Sequence, residues 1–217
     1  CVIPEGMEDR FEHLPLECSH LYLAIEGKLA AVICVEDPLR EEAADAVREL
    51  KEAGITKVVM MTGDSERTAA AIAKRVGVDE YYSEVLPEDK ASFVEKEKEL
   101  GHKVIMIGDG INDSLALSSA SVGIAISDGA AIAREIADVT ISADNLHEIV
   151  TLKRLSTALM KRIHNNYRTI IGINGGLIAL GVTGIIMPTT SALLHNMSTL
   201  TISLRSMRNL LPKEEEA

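Results

Sequence analysis

Met106-Ile107-Gly108-Asp109-Gly110-Ile111-Asn112-Asp113 sets two carboxylates, a carboxamide and two glycines directly behind an apolar run, Lys103-Val104-Ile105-Met106-Ile107. That run reads as a central parallel strand. Glycines allow a sharp turn at its carboxyl end, where open α/β sheets place their chemistry. Asp109 then faces the crevice, with Asn112 and Asp113 behind it. Magnesium takes one or two carboxylates and completes its shell with water and substrate phosphate, so the spacing suits a hydrated dication beside a phosphoryl group. An ordinary strand-to-helix turn, capped by Asn112 or Asp113, is the competing reading.

Three more polar clusters fall where neighbouring strands of the same sheet should end, and together they favour chemistry over capping. Lys57-Val58-Val59-Met60-Met61 runs into Thr62-Gly63-Asp64, whose hydroxyl and following amide are suitable donors to phosphoryl oxygens. Leu86-Pro87-Glu88-Asp89-Lys90 opens a helix with an ammonium on its first turn, a point charge for the same phosphate. Asp37-Pro38-Leu39-Arg40 begins another, with Asp37 as N-cap and Pro38 at the first helical position. Outward from these motifs the order is regular. Leu21–Ile25 and Leu29–Ile33 flank Glu26-Gly27-Lys28 as a hairpin. Helices over 39–53, 65–76, 88–100 and 114–119 then alternate with strands over 58–61, 104–107 and 122–126. Such alternation predicts right-handed crossovers and a parallel sheet with helices on both faces.

These motifs resemble the phosphorylation domain of P-type ATPases, itself a haloacid-dehalogenase-like fold. The residues that carry the resemblance are Asp37-Pro38-Leu39-Arg40, Thr62-Gly63-Asp64, Pro87-Glu88-Asp89-Lys90 and the run from Gly108 through Asp113 to Leu117. Ser121–Ile126 and Ala137–Ile141 are similar to the heavy-metal-transporting subgroup, except that Leu115 stands where that subgroup usually has proline. The resemblance implies ATP and Mg2+ as cofactors. It assigns Asp109 to magnesium with Asp113 as a second magnesium candidate, Thr62 and Lys90 to the phosphoryl oxygens, Gly63 and Asp64 to the Thr62 turn, Asn112 with Asp113 to the ordering of their loop, and Asp37 and Arg40 to the cofactor side of the site. The aspartate that the family phosphorylates lies in an Asp-Lys-Thr-Gly stretch, and no such stretch occurs in these 217 residues; neither does a Cys-Pro-Cys or Cys-x-x-Cys motif. The expectation is therefore a carboxyl-terminal fragment, inactive alone, whose partner is the upstream remainder of the same pump.

Charge divides the chain at about residue 150. Residues 1–150 hold 14 Lys+Arg against 30 Asp+Glu, and residues 151–217 hold 8 against 3. An acidic head argues against nucleic acid, which is bound by neutralising its phosphates with Lys and Arg. Cys1, Cys18 and Cys34 lack metal-ligand spacing and read as free thiols of a reducing compartment. Beyond Lys161, Arg162 and Arg168, Thr169 to Met187 carries no charged residue, and after Pro188-Thr189-Thr190 a second uncharged stretch runs to Leu204 before Arg205, Arg208 and Lys213. Nineteen residues suffice to cross about 30 Å of hydrocarbon as a helix. Basic residues at both ends and none in the turn place both ends in the cytosol. The expected order is thus the end of a nucleotide-binding domain (1–36), the phosphorylation domain (37–146), a linker helix (147–168), two transmembrane helices (169–211) and a cytosolic tail (212–217), in a multi-pass protein of the plasma membrane.

Within the uncharged stretches Asn174 and His195 are the costly polar residues, so each reads either as a structural interhelical contact or as part of an ion path. An imidazole suits a borderline transition metal. By the resemblance, His195-Asn196-Met197-Ser198-Thr199 is similar to the His-Glu-Gly-Gly-Thr of cobalt-type and broad divalent-metal pumps, which favours a divalent cargo such as zinc, cadmium or cobalt; copper(I) stays open. The readings from other classes are a membrane-anchored regulatory or binding module and a haloacid-dehalogenase-type phosphatase, the latter lacking the Asp-x-Asp nucleophile motif.

Overall fold

From Ala43 to Ile126 the chain alternates helix and strand. A computed structural model describes residues 19–35, 39–109, 112–126, 135–141 and 145–210. β1 (Ser19–Ile25) and β2 (Lys28–Val35) form an antiparallel hairpin in which Ile25 pairs with Lys28. Its two turn residues, Glu26 and Gly27, both have positive φ (51° and 77°), the conformation whose twist matches the flanking strands. There follow α1 (Ala43–Glu52), β3 (Val59–Met61), α2 (Glu66–Val76), β4 (Glu80–Tyr82), α3 (Pro87–Glu99), β5 (Ile105–Gly108), α4 (Ser114–Ser119), β6 (Val122–Ile126) and β7 (Val139–Ile141). The last two described helices are α5 (His147–Val182) and α6 (Pro188–Ser206). The chain divides into two compact units, Cys1–Val150 and Thr151–Ala217.

In the first unit every parallel ladder follows the expected α/β logic. β3 pairs with β4, and β5, β6 and β7 pair in that order. The parallel sheet comes in two pieces rather than one: among the described residues β3 and β5 each have one edge without a ladder partner. The core between helices and strands is small and aliphatic. Ala69 and Ala73 of α2, Val94 of α3, Ala116 and Leu117 of α4 and Ile124 and Ala125 of β6 are buried, and Gly123 lies so close to the Leu117 carbonyl that a methyl there would meet it at 2.6 Å.

Several boundaries differ from the sequence expectation for local reasons. The first helix starts at Ala43, not at Leu39, and its N-cap is Glu42; the expected cap, Asp37, lies outside the described residues. Strand β4 was not anticipated, because three residues, Glu80-Tyr81-Tyr82, are too short to show a period. Helices α1, α3 and α5 all stop the same way, at a glycine with positive φ (Gly54, Gly101, Gly184). In each, the glycine N–H and the following N–H close back on carbonyls of the last turn, as in Ile55 to Leu50, His102 to Glu97 and Ile185 to Leu180.

The second unit is a helical hairpin. The expected linker helix and first apolar helix are one continuous helix up to Val182, which Gly184 ends before Met187. Pro188 is not a turn residue but the first residue of α6, where its missing N–H costs nothing. No residue of α6 is buried, and Val182, Met187 and Met207 are at least 70% exposed. Among the described residues, no helix is long and apolar enough to cross a membrane.

Candidate active site

Strand β5 delivers Gly108 and Asp109 to the carboxyl edge of its sheet, and α4 starts four residues later at Ser114. Asp113 occupies the N-cap position of α4, yet its side chain makes no capping bond. Its carboxylate turns to Lys90, whose Nζ donates to Oδ1 at 2.8 Å. The two side chains are only 16% and 12% exposed. Either charge held that far from water without the other would be costly, so pairing fixes both. Gly108 is there for space, not for its turn: a methyl on it would sit 2.5 Å from Asp113 Oδ2 and 2.8 Å from Asp113 Cβ. The plain-cap reading of this loop therefore fails at Asp113. Asn112 donates its main-chain N–H to Asp109 Oδ1 at 3.4 Å, a long contact, and the Asp109 side chain is exposed.

Thr62-Gly63-Asp64 forms a self-contained turn at the end of β3. The Thr62 hydroxyl donates to Asp64 Oδ2 at 2.7 Å and accepts the Asp64 N–H at 3.1 Å. Asp64 thus ties the turn, and the Thr62 proton is committed to it; presenting that proton to another acceptor takes a rotation of the hydroxyl. The turn is tied to the approach of α3. Val85 donates its N–H to the Thr62 carbonyl at 3.0 Å and Glu84 donates to the Asp64 carbonyl at 2.9 Å. Leu86 then caps α3, with its N–H on Asp89 Oδ2 at 3.2 Å, and one turn later stands Lys90. A continuous run of hydrogen bonds therefore links the Thr62 turn, through the start of α3, to Asp113 and the Asp109 loop. Arg40 precedes α1 with its guanidinium 3.9 Å from Glu42.

Among the described residues no three His, Cys, Asp or Glu side chains converge on a metal by themselves. One exposed carboxylate, Asp109, with a second already neutralised by Lys90, suits a cation that draws the rest of its shell from phosphate and water, which is how magnesium binds.

Three carboxylates whose role the sequence does not announce brace the strands, two of them at the amino ends of β3 and β6. Asp138 accepts the Gly123 N–H at 2.9 Å and so ties the start of β6 to the approach of β7. Asp79 receives Lys51 Nζ at 2.7 Å and the Val58 N–H at 2.8 Å, which holds its carboxyl below the usual range. Glu66 receives the Ser83 and Tyr81 hydroxyls at 2.6 and 2.8 Å and is lowered likewise, while Tyr81 is pushed up by Glu66. The only sequence signal for Asp79 and Asp138 is an acid immediately before a short strand.

In the helical unit the structure brings together two residues singled out separately. His195 Nδ1 of α6 lies 2.9 Å from Asn174 Oδ1 of α5.

With that geometry in hand, the family follows. A model of the haloacid dehalogenase-like hydrolases matches residues 5–121, and the chain belongs to that family. Its homologues are heavy-metal P-type ATPases. It is 44% identical over 176 residues to "Copper-transporting ATPase 2" of Rhizobium meliloti, covering 81% of this chain and 21% of the relative. It is 38% identical over 189 residues to "Manganese-exporting P-type ATPase" of Mycobacterium bovis, covering 87% and 26%. The crystal structure of a zinc-transporting PIB-type ATPase in its E2.Pi state superimposes with a TM-score of 0.82 at 30% identity over 96% of this chain and 34% of that one. The chain spans about a quarter of the length of the curated relatives it matches.

Proposed function

We propose that these residues form the phosphorylation domain and the last two membrane helices of an ATP-driven transition-metal pump working through an aspartyl phosphate. The observation that carries the reading is the Lys90–Asp113 pair set against Gly108 and beside Asp109. In the complete pump an upstream aspartate takes the γ-phosphoryl of ATP. A strand bearing it would satisfy the edges of β3 and β5 that lack partners and so arrive between the Thr62 turn and the Asp109 loop. Asp109, with Asp113 behind it, would hold Mg2+, which when bound spreads the charge of the phosphoryl oxygens. Lys90 neutralises charge on those oxygens, Thr62 and the Gly63 N–H orient them, Asn112 keeps the Asp109 carboxylate in place, and Asp37 and Arg40 serve the nucleotide side.

The hairpin is read as membrane-inserted because its apolar side chains face outward, from Ile170, Ile171 and Ile178 on α5 to Leu193, Leu200 and Leu204 on α6. The uncharged stretch also continues past the end of α5 to Met187. The basic residues that flank the hairpin support a cytosolic position for both of its ends and for the domain before it, in a multi-pass protein whose proposed membrane is the plasma membrane. His195 favours a borderline divalent cargo, zinc, cadmium or cobalt. Copper(I) is the second reading, favoured by the 44% identity to a copper-transporting relative.

The test is metal-stimulated ATP hydrolysis by the full-length pump in vesicles. Stimulation by Zn2+, Cd2+ or Co2+ above that by Cu+ supports the divalent reading and the reverse order selects copper. Hydrolysis indifferent to every transition metal rejects the function.

A further inference from the structure

Asn174 and His195 meet across the hairpin at 2.9 Å, Oδ1 to Nδ1. A carboxamide oxygen only accepts, so the contact forces the proton of the neutral imidazole onto Nδ1 and leaves Nε2 with its lone pair. Nε2 has no hydrogen-bond partner among the described residues. We infer that Asn174 is a positioning residue that selects the Nδ1–H form of His195 and so presents Nε2 as a ligand to the transported cation.

The register that makes this contact is locked further along the same hairpin. Arg162 of α5 donates to the carbonyl of Ser206, the last residue of α6, at 2.9 Å, and to the carbonyls just beyond it, of Asn209 at 3.0 Å and of Arg208. Asn166 Nδ2 adds a bond to Ser206 Oγ at 2.7 Å. A guanidinium on a helix C-terminus satisfies carbonyls that have no helical partner and opposes the dipole there. Arg162 and Ser206, like Asn174 and His195, lie about equally far from the Gly184–Ile185 turn, as in two antiparallel helices without slip. A one-residue slide of α6 would rotate His195 by about 100° away from Asn174. Hydroxyls nearby are spent on backbone: Ser198 and Thr199 both donate to the His195 carbonyl, at 2.8 and 3.0 Å. They do not compete for the ring.

Hydrogen bonding of the far ring nitrogen is the usual way in which proteins fix a metal-ligating histidine, and loss of such a partner costs roughly 10–100-fold in metal affinity. The inference rests on the transition-metal reading above, and its test separates the two. The 217-residue chain, nitrogen-15 labelled and held in lipid nanodiscs, reports the tautomer of His195 by long-range proton–nitrogen correlation, the signal being assigned by its loss in His195→Gln. Expected are Nδ1–H in the wild type and perturbation of Nε2 by Zn2+ alone. Asn174→Leu should abolish the preference and raise the Zn2+ needed by about 10–100-fold. Asn174→Asp, which keeps an acceptor, should preserve both. A wild-type Nε2–H form, an Asn174→Leu variant that changes neither readout, or an Asn174→Asp variant that behaves as Asn174→Leu overturns the inference. If the expected tautomer and Zn2+ response hold but the full-length pump ignores every transition metal, the functional reading fails instead.

Discussion

The polar groups of the two units are satisfied in opposite ways. Beside β5 and α3 opposite charges are drawn together, Lys90 with Asp113, and elsewhere in the first unit the carboxylates Asp79 and Glu66 are held by cations, hydroxyls or main-chain N–H groups. Residues 151–210 of the helical hairpin contain no Asp or Glu at all. There a guanidinium meets backbone carbonyls and an imidazole meets an amide. Under the proposed function, the first arrangement would let a phosphoryl group replace water against an already balanced pair of charges. The second neutralises nothing and fixes geometry, which is what an apolar surrounding permits at least cost.

Several substitutions break or sharpen that contrast. The largest effect is expected in the cleft: Asp109→Asn in the full-length pump should cut ATP turnover by about 10²–10³-fold, measured at saturating Mg2+, since it removes the charge aimed at the reacting group. Gly108→Ala should cost roughly 1–3 kcal/mol by overpacking, read as a lowered unfolding midpoint, because Asp113 must move to admit the methyl. Replacing either partner of the Lys90–Asp113 pair should cost more than replacing both with Met and Leu, a non-additivity that a double-mutant cycle measures. Arg162→Ala should weaken the hairpin by about 1–2 kcal/mol, seen as a broadened interhelical distance between spin labels, and leave the cleft unchanged. The smallest effect is one of pH. The Asp79 carboxyl is held below its ordinary value of 3.8 by Lys51 and the Val58 N–H. Its folded-state pKa being depressed, its contribution is complete above that ordinary value and is lost as pH falls through the folded value. The melting-temperature gap between wild type and Asp79→Asn should therefore be constant near neutrality and close in acid.

Sequence carried most of the architecture because its signals were local. Gly54, Gly77 and Gly101 mark three helix ends, and the apolar runs before Thr62 and Asp109 mark strands whose motifs the structure joins through α3. The contacts that make the cleft were harder to read. Nothing local says that Asp113 forgoes its cap for a lysine 23 residues earlier, or that Gly108 is needed for room. Asp138 acts through one main-chain amide and Asp79 through another together with Lys51, contacts that no spacing announces. In the hairpin, hydropathy found the uncharged stretch but not its break, since Gly184 and Pro188 set the helix ends by backbone conformation. Asn174 and His195 stood out singly, and only the register of α5 and α6 makes them a pair.

The central claim is that Asp109 serves a magnesium-bound phosphoryl group, and it is tested most directly by titrating Mg2+ against phosphoenzyme formed from radiolabelled ATP in the full-length pump. The account predicts that Asp109→Asn raises the half-saturating Mg2+ by at least about tenfold, as loss of one of very few carboxylate ligands should. An unchanged Mg2+ requirement with normal phosphoenzyme levels would contradict it.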